Sequence, residues 1–101
     1  MLINTEIKTT NIDEINSSAL QLKFNIQWTL DDNQKIIEYI LQTTGATKLE
    51  VIKGADLYCL RVKYNDYEFL LNFEEYSHAC WIECVTEQDR PGLQAIKRLL
   101  A

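Results

Sequence analysis

Proline and glycine are scarce, one and three among 101 residues. That excludes collagen-like and low-complexity classes, and it leaves little material for a glycine-rich cradle of phosphate-binding amides. His78 is the only histidine. No apolar run approaches the roughly 18 to 20 residues that span a bilayer as a helix. The opening Met1-Leu2-Ile3-Asn4-Thr5-Glu6 lacks a charged region followed by an apolar stretch, which argues against a secretory signal and for a cytoplasmic location. Lys and Arg are missing altogether between Lys63 and Arg90, an interval that holds Asp66, Glu68, Glu74, Glu75, Glu83, Glu87 and Asp89. The whole chain carries a formal net charge of −5. Its field therefore opposes phosphate backbones and anionic lipid, and neither nucleic acid nor membrane is an expected partner. The acidic interval reads either as a solvated surface kept for solubility or as a docking face for a basic partner.

What is present is ordinary globular material, 47% hydrophobic and 25% charged. At this length one core must suffice, so residues 1–101 form a single domain, with a weakly patterned segment at 1–18 and the core in 19–101. A short strand is placed at Leu2 to Lys8 and a loop at Asn16-Ser17-Ser18. Leu20, Leu22, Phe24, Ile26 and Trp28 then alternate without error against polar residues, the pattern of a half-buried strand.

After Trp28 the period lengthens to that of a helix, from about Leu30 to Thr44. Thr29 or Asp31 can cap it, Ile36, Ile37, Ile40 and Leu41 form its apolar stripe, and Gly45 suits a left-handed C-terminal cap. Residues 46 to 86 read as an antiparallel meander. A two-residue turn at Asn65-Asp66 sets Tyr64 opposite Tyr67, Val62 opposite Phe69, Leu60 opposite Leu71 and Tyr58 opposite Phe73. Lys63 then faces Glu68 and Cys59 faces Asn72 on the other side of the sheet. A turn near Gly54-Ala55 sets Val51 against Tyr58 and Leu49 against Leu60, adding a strand to the same apolar face. A turn near Tyr76-Ser77 sets Phe73 against Cys80, Leu71 against Ile82 and Phe69 against Cys84. The opposite parity would bury Glu83 without a partner, which is costly. Pro91 suits the first turn of a second helix with Leu93, Ile96 and Leu100 inward and Lys97 and Arg98 near its end. The expected fold is α+β, a two-layer sandwich of order β-α-β-β-β-β-α with both helices on one sheet face.

Chemistry-bearing constellations are few. Cys59, Cys80 and Cys84 are an odd number without paired spacing. Cys80 and Cys84, about 13 Å apart along a strand, cannot form a disulfide or share one zinc. They read as small reduced hydrophobes, and a His78–Cys80 dyad fails because same-face strand neighbours point in parallel. Asp31-Asp32 and Glu74-Glu75 are explained by a helix start and by opposite strand faces. No cofactor, metal ligand or catalytic residue is assigned, and an enzyme is not expected. Tyr58, Tyr64, Tyr67, Phe69 and Phe73 belong to the core by parity, whereas Trp81 falls on the open face beside Leu70 and Asn72, bordered by Glu68, Glu74 and Glu83. An open-face Trp is a typical interface anchor, so Trp81, Leu70, Glu68, Glu74 and Glu83 are the candidate partner-binding residues.

Tyr67-Glu68-Phe69-Leu70-Leu71-Asn72-Phe73-Glu74-Glu75-Tyr76-Ser77, followed by Trp81-Ile82-Glu83, resembles the most recognisable stretch of a bacterial family of roughly 100-residue proteins classed as a domain of unknown function. The resemblance covers residues 20 to 100 and implies a bacterial, cytoplasmic protein without an activity to transfer. The expected function is a noncatalytic interaction module, self-associating as a homodimer or binding a protein through its open sheet face. The alternative is a small acidic inhibitor, immunity protein or chaperone that covers a basic partner.

Overall fold

The computed structural model describes residues 6–101. It contains β1 (Thr9–Asn16), β2 (Ala19–Phe24), α1 (Gln34–Thr44), β3 (Thr47–Lys53), β4 (Leu57–Tyr64), β5 (Tyr67–Glu74), β6 (Ala79–Cys84), a short 3₁₀ turn at Glu87–Asp89 and α2 (Arg90–Leu100). The six strands form one antiparallel sheet in the order β1-β2-β6-β5-β4-β3. The fold is α+β, as the alternating strands and amphipathic helices imply.

The β4–β5–β6 register matches the sequence pairing residue for residue, including Tyr58 with Phe73, Phe73 with Cys80 and Leu71 with Ile82. Asn65 takes the left-handed backbone that a tight hairpin demands, with φ 53°. On one face Leu20, Leu22, Leu60, Phe69, Leu71, Phe73, Cys80 and Ile82 meet Ile36, Ile37 and Ile40 of α1 and Leu93, Ile96 and Leu100 of α2 in a single core. Gly45 closes α1 with φ 79° and its N–H on Leu41 O.

Four expectations change. The first strand lies at Thr9–Asn16; the expected segment at Leu2 to Lys8 falls partly outside the described residues, and Glu6 to Lys8 are not strand. The order is therefore β-β-α-β-β-β-β-α. β1 is an edge strand with register shifts near both ends and only Ile12 packed against the core, which is why it shows no clean alternation. β2 stops at Phe24, where Asn25 turns the chain by bonding Lys8 N and Glu6 O; Ile26 and Trp28 still reach the core from an irregular loop.

α1 begins at Gln34 rather than Leu30, because Thr29 and Asp32 exchange backbone hydrogen bonds in a tight loop that uses up the residues proposed as caps. Asn33 stands at the cap position without a side-chain cap bond. Finally, β3 is shifted by two residues, pairing Val51 with Leu60 and Lys53 with Tyr58, and bulges between Lys48 and Glu50. A two-residue shift preserves parity, so Val51 keeps the expected face. The cover does not extend to it: every residue of β3 is exposed.

The reason is dimensional. Six strands at about 4.8 Å spacing span roughly 24 Å between edge strands, whereas two helices packed about 10 Å apart shield only about 20 Å. α2 is tied towards the β1 side by Lys97 Nζ to Glu14 Oε2 at 2.6 Å and by Arg90 Nε to Ser18 Oγ at 2.9 Å, and α1 by Tyr39 OH to Thr9 Oγ1 at 2.9 Å. The opposite edge is left bare.

Candidate interaction surface

The sheet face turned away from the helices is built by register. One row runs Asp13, Gln21, Trp81, Asn72, Cys59 and Ile52 across all six strands, and the next runs Ala19, Glu83, Leu70, Arg61 and Glu50. Trp81 and Leu70 are therefore neighbours on this face, as the parity argument expects. Both are half-buried.

Trp81 is held in place. Its Nε1–H donates to Glu83 Oε1 at 2.9 Å, and Asn72 Nδ2 donates to the same oxygen at 3.0 Å and to Leu70 O at 3.2 Å. These contacts leave Asn72 only 4% exposed although it faces away from the helices. An oriented indole in a satisfied polar frame is a pre-organised anchor, since little side-chain freedom is left to lose on binding.

The acidic residues singled out from the sequence do not form one free cluster. Glu68 lies 3.1 Å from Arg61 Nε, although that N–H is not aimed at it, and the same guanidinium reaches Glu50 at 3.1 Å. Glu74 accepts from Ser77 Oγ at 2.6 Å, which holds its carboxyl below the usual carboxylate range. Glu83 serves Trp81 and Asn72. Such half-exposed pairs add little to stability, yet they occupy the carboxylates that a basic partner would have to recruit.

The thiols are placed for packing. Cys80 is buried on the helix face, and burial pushes its pKa well up. Cys59 sits on the open face at 7% exposure; burial raises its pKa, helped by the negative charges of Glu83 and Glu50. Cys84 is raised by burial first and then by Asp89. A disulfide reagent at pH 8 should label all three slowly in the native chain, Cys80 last, and rapidly in denaturant, because the thiolate is the reacting form. Native labelling of Cys80 at the unfolded rate would contradict this burial.

His78 occupies a left-handed turn position, φ 52°, and its ring stacks on Trp28 at 4.2 Å and 13°. Its Nε2–H donates to Trp28 O at 2.9 Å. The ring thus engages the loop before α1 rather than Cys80. The adjoining cleft, lined by Gln21, Lys23, Ile26, Trp28, Ser77 and His78, has a volume of about 420 Å³ but gathers no pair of groups poised for proton transfer.

Sequence reasoning missed the exposure of β3. Leu49, Val51 and Ile52 are 41%, 38% and 53% exposed, whereas parity alone assigned Leu49 and Val51 to the covered face. The available signal was the interspersed Lys48, Glu50 and Lys53, an edge-strand mixture of charge and apolar residues. Among the described residues no helix is long and apolar enough to cross a membrane, and no group of three or more His, Cys, Asp or Glu is arranged to hold a metal ion.

A family model described as Protein of unknown function (DUF3630) matches residues 10–101. The match begins within β1, ten residues before the resemblance at residue 20, so the β1–β2 hairpin is part of the matched domain. No curated protein and no solved structure matches the chain.

Proposed function

We propose, for a chain that belongs to the DUF3630 family of unknown function, a noncatalytic protein-interaction module that acts through its open sheet face. The observation that carries the reading is Trp81, an oriented and half-buried indole in the middle of a sheet face that the helices leave uncovered. Leu70 lies diagonally beside it in the next row of the same face. A large aromatic with apolar neighbours and a polar rim is the composition of a binding hot spot. A bacterial cytoplasm is part of this proposal, and the three free cysteines are compatible with a reducing compartment. Charge-driven capture of a basic protein is the weaker reading, since Glu68, Glu74 and Glu83 are already engaged within the chain.

Trp81→Ala should remove about 2 kcal/mol or more of association free energy, read as loss of the captured partner from native-host extract or of a homodimer in sedimentation. The isolated fold should lose less than the roughly 3 to 5 kcal/mol of a fully buried aromatic, measured by thermal denaturation. Unchanged association would remove the proposal.

A further inference from the structure

Among the described residues β3 pairs only with β4, so its outer edge presents backbone N–H and C=O groups that no neighbouring strand satisfies. Three of the exposed large apolar side chains, Leu49, Val51 and Ile52, belong to this one strand. Val51 projects on the helix side and Ile52 on the open side, by their pairing with Leu60 and Cys59. An occupant must therefore cover both faces of the edge. A strand laid alongside does so.

Charge selects which strand. The β3–β4 hairpin is locally basic in an acidic chain, with Lys48, Lys53, Arg61 and Lys63 against Glu50 and Asp56. Glu50 is occupied by Arg61, which leaves Lys48 and Lys53 as the charges at the two ends of the free edge. Edge lysines disfavour pairing with a second, identical β3, whose own lysines would lie against them. The same lysines favour carboxylates. The other edge, β1, lacks this character: it carries Asp13 and Glu14 and exposes only Ile15 among its large apolar residues.

We infer that the β3 edge is a strand-addition site for an acidic, apolar extended segment of a partner protein, running antiparallel with carboxylates opposite Lys48 and Lys53 and apolar residues opposite Val51 and Ile52. Main-chain hydrogen bonds supply the affinity and the flanking charges the selectivity. This site shares only Ile52 with the row that carries Trp81, and it stands whether or not that reading holds.

The test uses an end-blocked peptide Glu-Ile-Val-Thr-Leu-Glu and its counterpart with lysine in place of both glutamates, titrated into the full chain and followed by amide NMR shifts. The acidic peptide should perturb Thr47–Lys53 and the facing β4 amides, and the basic peptide should bind about tenfold more weakly, as expected for two exposed charge pairs reversed. Lys48→Glu combined with Lys53→Glu alters only exposed side chains, and circular dichroism checks that it folds. It should invert the preference. Absence of β3 shifts, equal binding of the two peptides or an unchanged preference in the double variant would overturn the inference. So would sedimentation showing a dimer that the double variant abolishes, because the occupant would then be a second copy.

Discussion

Phe73→Ala is expected to destabilise the fold by about 3 to 5 kcal/mol, the largest effect of any single truncation considered, because it removes a large ring from a site that cannot refill. Phe73 is fully buried near the C-terminal end of β5. It faces Tyr58 and Cys80 across the two neighbouring strands and meets Trp28 edge-on at 5.2 Å between ring centroids. The loss therefore reaches the irregular loop before α1 as well as the sheet. For a domain of this size the melting temperature should fall by at least about 12 °C. Tyr76→Ala is the matched control, since Tyr76 is 92% exposed at the β5–β6 turn and should change stability by less than about 0.5 kcal/mol. A Phe73→Ala loss below about 1 kcal/mol in urea unfolding would show that this register does not form the core.

Gly92→Ala should destabilise by about 1 to 3 kcal/mol through overpacking, against a helix-propensity gain of about 1 kcal/mol that acts in the opposite direction. Gly92 lies in the first turn of α2, buried where the helix approaches the start of β5. A Cβ there would fall 2.5 Å from two ring carbons of Tyr67 and 2.8 Å from its Cβ. Tyr67 stands opposite Tyr64 at the end of the hairpin, so its ring can move away only by disturbing the tip of the sheet. In a Tyr67→Ala background the penalty should shrink but not vanish, because the close approach to Tyr67 Cβ remains. Denaturant unfolding of the four proteins in that cycle gives the coupling directly, and a stabilising Gly92→Ala in the wild-type background would refute the close packing of α2 on β5.

The elements that were legible share one property: their evidence is local and checked twice. Asn65-Asp66 proposes a turn, and the alternation on either side then pairs Tyr58 with Phe73 and Lys63 with Glu68 without conflict; a slip by one residue would violate both faces. Pro91 stands in the first turn of α2, as its fixed φ requires, and Gly45 ends α1 for the converse reason. The placement of Trp81 on the open face follows from the same parity. Its hydrogen bond to Glu83 does not, because that depends on side-chain geometry two residues along the strand and on Asn72 of the neighbouring one.

β1, the start of α1 and the exposure of β3 were decided by contacts far apart in the chain. Thr9–Asn16 has too little alternation to declare itself and becomes a strand because β2 offers it an edge. Leu30 is kept out of the helix by the loop around Thr29 and Asp32, and its N–H donates to Glu75 at the β5–β6 turn. By itself, then, the amino-acid sequence determined which residues share a face, since alternation is a property of residues two apart and independent of the rest of the molecule. Which of those faces is sheltered was decided by the tertiary structure, because two helices anchored towards β1 are too narrow to reach β3, and that leaves Val51 exposed despite its correct parity.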